Sequence, residues 1–473
     1  MNEVTLKTKV FQDMVSKALK CSTNNSMLAA TTLVSILAKD GKFSLVTTDN
    51  VNYLEVSEYI PGISDFKASL GIDQFGKLVS KLTNEYTTLS LGKDSLGNLS
   101  YLSIKSGSGN YKLGLTLEDG ELVSLEMPVV DSQSKEKIHL SSIKNIVKIN
   151  KPALQTSILD ASTKALLNYY CGSDGVLTSD TSKVALTQIK LFNEPCLINA
   201  RAMDLLQLMD SEEIQVSRVG NKMTFRGNKV VLSTTQPDGI DLFPAKQMFQ
   251  YLSMVLDSKC SVSRDQFKGI LSRLNLFTTV DSKLLTLLFR KDGIYISTKD
   301  SDGLELLRYK ASENYKECSA STDITFLMEL VDSQSGDNVN IQYGSPDMLK
   351  ITSENSIQLI SLSAAETDLE TTTSAEIVDN INKEMKLKEI EDAENAKNNA
   401  SKSSVEKEVK ESEKEVKEVE EAVSSSAPII NNVVPDNQVI NQPQMEQDLN
   451  YKTVSMDDVE SNLDQGAFAN AIK

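Results

Sequence analysis

Few side chains in this sequence have the type and spacing that catalysis or metal binding requires. The 473 residues include one histidine, His139, which excludes any mechanism that needs two imidazoles. His139 stands between Ile138 and Leu140, which is typical of a polar residue at the end of a short strand. No GK[ST] phosphate loop, no GxGxxG after a strand, and no CxxC or HExxH spacing occurs. The sequence therefore predicts a protein without catalytic residues, cofactor or metal.

The cysteines and the hydropathy pattern indicate the compartment. Five cysteines are odd in number and widely scattered, which fits reduced cytosolic thiols better than a disulfide framework: Cys21, Cys171, Cys196, Cys260 and Cys318. No run of 18 apolar residues is present, so no membrane span is expected. The N-terminal residues include Glu3 and lack the apolar segment of a signal peptide. We expect a cytoplasmic protein.

The charge is divided unevenly along the chain. The net charge is −17, yet residues 366–473 alone hold 25 acidic and 11 basic side chains. The preceding residues hold 41 acidic and 38 basic side chains and are nearly neutral. Since the segment after 365 also loses aromatic residues and strand alternation, we expect 366–473 to be an acidic, mostly disordered tail. Valines at helical spacing within it predict a solvated helix or short coiled coil over 403–423.

An internal repeat is the most informative pattern before the tail. Three segments share a glycine turn, a strand, a Ser/Thr-Asp turn and another strand: 41–60, 175–192 and 293–311. The turns are marked by Asp49, Asp180 and Asp300, whose carboxylates we expect to accept backbone N–H groups rather than to catalyse. After each of these copies, a second unit carries a helical pattern followed by alternating strands.

The helical patterns of the repeat have apolar stripes that predict core faces. Phe11, Met14, Val15 and Ala18 form one such stripe, and Phe267, Ile270, Leu271 and Leu274 form another. Asp73 and Asp265 stand where N-caps would be. The sequence therefore predicts an α+β fold of six helix-plus-antiparallel-sheet modules. Paired, they give domains at 1–127, 128–244 and 245–365, with Pro128 and Pro244 at the joins.

This repeat resembles the bacterial-type beta sliding clamp of DNA polymerase III, over roughly residues 1–365. The specific stretches are VLTSDTSKVAL in the second domain and the run 198–244, which ends in Gly239-Ile-Asp-Leu-Phe-Pro. Two departures stand out. Ser179-Asp180-Thr181-Ser182-Lys183-Val184 replaces the usual Thr-Asp-Gly-His-Arg-Leu, and Ile360-Ser-Leu362 replaces the usual carboxyl-terminal Met-Pro-Met-Arg-Leu. They indicate a divergent member with an added acidic tail, of cellular or viral source.

The resemblance implies a processivity factor that encircles duplex DNA without reading its sequence. Three domains per chain imply a head-to-tail homodimer, because six similar domains close a ring. Polymerase, clamp loader and other replication proteins would be the partners, at the nucleoid or a viral replication site, through a short peptide motif. A non-catalytic accessory subunit of a DNA polymerase is implied.

A clamp grips DNA through Lys and Arg near the phosphates. Lys144, Lys148 and Lys151 share the spacing i, i+4, i+7 with no acid among them, and other predicted helices carry basic residues too. A solvated helix face is the simpler interpretation of any one lysine, but four helices share the pattern. The predicted DNA-facing residues are Lys17, Lys20, Lys77, Lys81, Lys144, Lys148, Lys151, Arg201, Lys268 and Arg273.

The resemblance also implies an apolar partner-peptide pocket between the second and third domains. Carried over by motif position, it would include Leu166, Ser179, Thr181, Val184, Pro244, Phe249, Ile360 and Leu362. Plain core packing is an equally good interpretation of Leu166, Val184 and Ile360.

Two other functions remain open at this point. The chain could keep the clamp fold as an interaction scaffold that no longer encircles DNA and acts through its acidic tail. It could instead be a nucleic-acid enzyme, which would need a carboxylate cluster that the sequence does not reveal.

Overall fold

The computed structural model describes most of the chain before the acidic tail. The described residues are 3–23, 25–131, 136–158, 163–280, 282–299, 302–309, 315–344 and 347–365, with 380, 383–384, 386–388 and 390–391. The chain divides into units Met1–Glu384 and Met385–Lys473, and all elements below belong to the first. The predicted helix over 403–423 lies outside the described residues, as does Asp300.

The first stretch contains two copies of one module, in which a strand leads into a helix and three strands follow. The elements are β1 (Glu3–Lys7), α1 (Thr8–Leu19), β2 (Leu33–Lys39), β3 (Lys42–Thr48), β4 (Asn52–Tyr59), β5 (Phe66–Gly71), α2 (Ile72–Ser80), β6 (Tyr86–Lys93), β7 (Leu99–Ser106) and β8 (Gly109–Gly114). A small hairpin of β9 (Leu117–Glu118) and β10 (Glu121–Leu122) follows.

The second stretch repeats the same order. Its elements are β11 (Glu136–His139), α3 (Leu140–Asn150), β12 (Asn168–Cys171), β13 (Val176–Ser179), β14 (Lys183–Thr187), β15 (Cys196–Asn199), α4 (Ala200–Leu206), β16 (Glu213–Val219), β17 (Lys222–Arg226) and β18 (Val230–Thr235). His139 ends β11, as its apolar neighbours predict.

The third stretch begins with an additional helix and then repeats the order again. Its elements are α5 (Ala245–Ser253), β19 (Ser258–Ser263), α6 (Arg264–Leu274), β20 (Leu284–Arg290), β21 (Gly293–Thr298), β22 (Leu304–Arg308), β23 (Cys318–Asp323), α7 (Ile324–Ser333), β24 (Asn338–Gly344), β25 (Met348–Ser353), β26 (Ser356–Ser361) and β27 (Ser363–Ala364). The α+β module repeat predicted from the sequence is confirmed. No helix among the described residues is long and apolar enough to span a membrane.

The two modules of each stretch exchange their leading strands. β1 pairs with β6 of the next module and β5 pairs back with β2, in antiparallel register. The same exchange joins β11 to β16 and β15 to β12, and then β19 to β24 and β23 to β20. Each module therefore completes the sheet of the other, so that the two cannot separate without breaking both sheets.

Edge strands then join one stretch to the next. β4 pairs with β18 and β14 pairs with β26, which produces two continuous eight-stranded sheets. In both cases the last strand of a first module pairs with the last strand of the next stretch's second module. β8 and β22 are the corresponding strands that remain at sheet edges, in sheets of four and five strands.

A buried polar network reinforces the junction of β14 with β26. Gln358 in β26 donates a hydrogen bond from Nε2 to the carbonyl oxygen of Ile149 at 2.7 Å and lies 2.9 Å from the Ser333 hydroxyl of α7. Asn150, fully buried at the end of α3, donates to the carbonyl oxygens of Val176 and Ala185. These bonds tie α3, α7 and two sheet halves together, because a buried amide must find partners inside the protein.

The apolar stripes and the turn aspartates are placed as expected, but the two predicted N-caps are wrong. Phe11 and Phe267 are among the most deeply buried side chains, and Asp49 and Asp180 accept backbone N–H groups in their turns. Asp73 and Asp265 are instead the second residues of α2 and α6. The leading strand of each module ends directly before its helix, and in α6 the cap is Ser263.

Replacing Gln358 with Met should test the junction network. The variant keeps the side-chain volume but leaves the Ile149 carbonyl and the Ser333 hydroxyl without this partner, so the free energy of unfolding should fall by about 2 kcal/mol. Chemical unfolding measures this difference. Gln266→Met, at an exposed position of α6, is the matched control and should change it by less than about 0.5 kcal/mol. Equal effects would mean that the network does not stabilise the junction.

Candidate functional site

A cavity of about 330 Å³ lies where α5 crosses the sheet at the junction of β14 with β26. Its wall combines side chains from the turn before β14, from α5 and from the last strands. Leu166 contributes from a short helical turn, Thr163–Leu167. The lining residues are Leu166, Ser179, Thr181, Ser182, Val184, Pro244, Gln247, Met248, Tyr251, Met348, Leu359 and Ser361.

The position of α5 is fixed by apolar side chains on its sheet-facing side. Met248 and Leu252 are buried against Leu177 and Leu186 of the sheet. Just before the helix, the Phe243 ring stacks on Tyr170 with centroids 4.9 Å apart. Because Pro244 directly precedes α5, the Phe-Pro pair sets both the anchor and the start of the helix. The cavity therefore results from the way in which α5 packs on the sheet.

Lys350 holds the other end of α5. Its buried ammonium donates to the carbonyl oxygen of Leu252 at 2.9 Å and also to that of Met254. These carbonyls belong to the last turn of the helix and the residue after it, where the backbone lacks helical partners. Burial lowers the pKa of this ammonium below its usual range, and the nearby Lys259 adds to the effect.

The turn beside the cavity has an unusual backbone. Asp180 Oδ1 accepts the backbone N–H groups of Ser182 and Lys183, and this closes the turn. Thr181, between Asp180 and Ser182, has φ +76°, a left-handed conformation that is unfavourable for a β-branched residue. The family that the sequence resembles usually has glycine at this position of the motif, and glycine adopts a positive φ without a steric conflict. Thr181 therefore places a strained residue on the wall of the cavity.

Lys183, buried beside this turn, joins the second stretch to the third. Its ammonium lies 3.2 Å from Asp180 Oδ2, 3.4 Å from Glu329 Oε2 of α7, and 3.9 Å above the Phe326 ring. A buried ammonium requires such compensation, since desolvation disfavours an unpaired charge. Lys183 and Glu329 are 146 residues apart in the chain, so local spacing does not reveal their contact.

The structure brings five of the eight predicted pocket residues together at the cavity: Leu166, Ser179, Thr181, Val184 and Pro244. Phe249 packs on the apolar cluster beside α5 without lining the cavity, because Gln247, Met248 and Tyr251 occupy that helix face. Ile360 and Leu362 belong to the core of the third stretch, and Leu359 and Ser361 line the cavity instead. Strand alternation explains this one-residue error. Met248 and Tyr251 stand four and seven residues after Pro244, so helical spacing would have indicated them as cavity-lining residues.

Most of the predicted DNA-facing cations have acidic neighbours in space. Lys17 and Lys77 pair with Asp13 and Asp73 one helical turn earlier. Lys151, Lys268 and Arg273 pair with Asp204, Asp332 and Glu305 of neighbouring elements, and Arg201 lies 4.0 Å from Asp49. Lys148 donates to the backbone carbonyl of Gln334 at 3.0 Å. The absence of acids along α3 thus does not extend to its neighbours in the fold.

Lys20, Lys81 and Lys144, together with Lys9, are exposed and form no ion pair with any described residue. They lie on or directly after α1, α2 and α3. The helices α1 to α4, α6 and α7, with the residue following each of the first three, carry twelve basic and six acidic side chains. The basic set is Lys9, Lys17, Lys20, Lys77, Lys81, Lys144, Lys148, Lys151, Arg201, Arg264, Lys268 and Arg273. The acidic set is Asp13, Asp73, Asp204, Asp265, Glu329 and Asp332.

Replacing Thr181 with Gly should stabilise the protein. The left-handed conformation costs a residue with a Cβ about 1–2 kcal/mol, which glycine avoids. Glycine offsets about 0.5–1 kcal/mol of this gain, because it raises the conformational entropy of the unfolded chain. We therefore expect the free energy of unfolding to rise by up to about 1 kcal/mol, as measured by denaturant titration. Thr156→Gly, at an exposed loop position without positive φ, should lower it. A loss at Thr181 as large as at Thr156 would rule out strain.

Comparisons with known proteins place this architecture among sliding clamps. No protein-family model and no curated protein matches the sequence. The crystal structure of the DNA polymerase III beta subunit of Thermotoga maritima has a TM-score of 0.65 and 17% identity, covering 76% of this chain and 98% of that one. The sliding clamp of Bacillus subtilis gives 0.65 at 16% identity, covering 77% and 99%. That of Bartonella birtlesii, bound to griselimycin, gives 0.66 at 15%, covering 77% and 100%. The chain therefore has the fold of the bacterial DNA polymerase III beta sliding clamps.

Proposed function

We propose that this protein is a DNA sliding clamp, a non-catalytic processivity factor that encircles duplex DNA and tethers a replicative polymerase. The observation that carries the proposal is the pair of edge strands β8 and β22. Their counterparts pair within the chain, β4 with β18 and β14 with β26, whereas β8 and β22 have no such partner strand in the described part of the chain. A second copy of the chain supplies the missing partner for each of them, and two such junctions close a head-to-tail homodimer.

The two internal junctions define the register of the proposed one. Glu55 of β4 pairs with Val231 of β18, and Leu186 of β14 pairs with Ile357 of β26. By their positions in the module, Leu304 of β22, which pairs with Ser297, corresponds to Glu55 and Leu186, which pair with Val46 and Leu177. Asn110 of β8 corresponds in the same way to Val231 and Ile357. The proposed ring therefore places Leu304 of one chain opposite Asn110 of the next.

Exposed apolar side chains accompany these edges. Leu276 and Phe277, directly after α6, are 80% and 55% exposed, and the Phe277 ring lies beside Gly303 at the start of β22. Tyr111 in β8 is 41% exposed. Large apolar groups beside an open strand edge favour coverage by another chain.

The surplus of basic over acidic side chains on six helices favours contact with DNA phosphates. The surplus stands out because the residues before the tail are nearly neutral as a whole. The ten predicted DNA-facing residues belong to these helices or follow them directly. Since most of them are paired with acids, the grip should be loose and salt-sensitive, which suits a protein that slides.

The cavity beside α5 is the proposed docking site for partner proteins. Its apolar floor with hydroxyl and amide groups at the edge, from Ser179, Thr181 and Gln247, fits an extended peptide with one large apolar side chain. The Bartonella birtlesii clamp, which has the same fold, holds griselimycin. Polymerase and clamp loader are the proposed partners. The alternative is a clamp-fold scaffold that binds partners without encircling DNA.

Ring closure can be tested by disulfide trapping. Leu304→Cys combined with Asn110→Cys in one chain should give a covalent dimer under mild oxidation, seen on a non-reducing gel. Leu304→Cys with Tyr111→Cys is the control, because a shift of one residue turns the side chain to the other face of the sheet. A monomer in solution, or equal trapping by both pairs, would contradict the proposed junction.

The trapped ring also tests encirclement. The Leu304→Cys/Asn110→Cys chain is assembled around a nicked circular DNA and then oxidised, and the complex is washed in high salt. A clamp should stay on the circle and leave when the circle is cut. Loss from uncut circles would favour the scaffold alternative.

Replacing Lys9, Lys81 and Lys144 with Glu should weaken DNA binding through charge. Each lost phosphate contact lowers the steepness of log affinity against log salt by roughly 0.9. Loss of all three contacts should therefore lower this slope by up to roughly 2.7. The control replaces Lys39, Lys246 and Lys259, which are exposed and outside the six helices, with Glu. Equal slopes for both triple variants would place the DNA elsewhere.

A further inference from the structure

Two cysteines face each other at one end of the edge strand β15. Cys196 is the first residue of β15 and pairs directly with Cys171, the last residue of β12. Directly opposed residues of antiparallel strands have Cα atoms about 4.5–5.5 Å apart, within the range that a disulfide requires. Both thiols are free and nearly fully buried.

A guanidinium from the neighbouring sheet lies against one of these thiols. Arg218 of β16 donates from Nη2 to Cys196 Sγ at 3.4 Å, and its Nη1 lies 3.7 Å from the exposed carboxylate of Glu194. The Nε of Arg218 is buried and has no hydrogen-bond partner among the described residues. The cation thus has unsatisfied capacity at the point where a thiolate would form.

The electrostatics distinguish Cys196 from the other buried thiols. Interaction with the Cys171 thiol, and then with Arg218, lowers the pKa of Cys196 below its usual range, although burial and Glu136 oppose the shift. The pKa of Cys171 is raised well above its usual range by the Cys196 thiol and by burial. Burial raises the pKa values of Cys21 and Cys260 to about 12. The pair therefore has one thiol that is activated for attack and, directly opposite, one that stays protonated.

We propose that Cys171 and Cys196 form a redox-responsive pair that a hydroperoxide converts into a cross-strand disulfide. The Cys196 thiolate attacks the peroxide, so that an S–O bond forms, the O–O bond breaks, and water is released after protonation. The Cys171 thiol then attacks the sulfenyl sulfur of Cys196 and expels a second water. Two thiols are oxidised by two electrons, and one hydrogen peroxide is reduced to two waters.

The cross-link would enclose a functional part of the fold. Residues 172–195 contain β13, β14 and the turn between them, which carry Ser179, Val184 and Thr181 of the cavity. β14 is also the strand that pairs with β26 at the second junction. Oxidation would restrain this segment at its base.

The test uses the full chain with hydrogen peroxide as the oxidant. After timed exposure, free thiols are alkylated in denaturant and the peptides are analysed by mass spectrometry. A peptide that links Cys171 to Cys196 should appear, reversed by a thiol reductant. The two thiols should disappear at least about tenfold faster than Cys21 and Cys260, because each pKa unit changes the thiolate fraction about tenfold.

Variants assign the two roles. Cys171→Ser should stop at a sulfenic acid on Cys196 that a dimedone probe traps, and Cys196→Ser should leave Cys171 unmodified. Cys260→Ser is the control and should retain the cross-link. Arg218→Gln, compared with the parent for melting temperature, should slow the first step. The proposal is overturned if the partly exposed Cys318 is oxidised while Cys171 and Cys196 both remain alkylatable, or if either pairs with another cysteine instead.

Discussion

The pairing of edge strands is the constraint on which the rest of this structure depends. Each module has three strands and a leading strand that it gives to its neighbour, so every sheet of four has a leading strand at one edge and the last strand of a module hairpin at the other. The backbone groups on the outer side of that hairpin strand need a partner. β4 with β18 and β14 with β26 satisfy these groups within the chain. Because the pattern is directional, a linear chain of three stretches always leaves one edge at each end, here β8 and β22.

The same pairing creates the two chemically different faces of the sheet. Gln358 points toward α3 and α7, where it bonds the Ile149 carbonyl, whereas its neighbour Leu359 points toward α5. At the junction of β14 with β26, α5 covers the other face of the sheet, and the cavity lies beside this helix. At the junction of β4 with β18 an extended segment runs instead, with Val130 donating to the Thr224 hydroxyl.

Charge on the helices is adjusted by neighbours rather than by sequence position. Lys151 and Lys268 pair with Asp204 and Asp332 from other helices, while Lys144 has no ion pair with any described residue. Exposed ion pairs of this kind contribute little stability. Their main effect is to weaken the positive electrostatic field at the helix surface.

The sequence alone determined the α+β module repeat, the core stripes such as Phe11 with Met14, and the turn role of Asp180, because these follow from local periodicity and side-chain chemistry. It also indicated five cavity residues through motif position. It could not determine that Leu359 rather than Ile360 lines the cavity. Successive residues of a strand face opposite sides of the sheet, and only the position of α5 decides which side has the cavity. Nor could it reveal the acids beside Lys151 and Lys268, or the opposition of Cys171 and Cys196. These contacts join residues far apart in the chain, and only the tertiary register of the strands and helices brings them together.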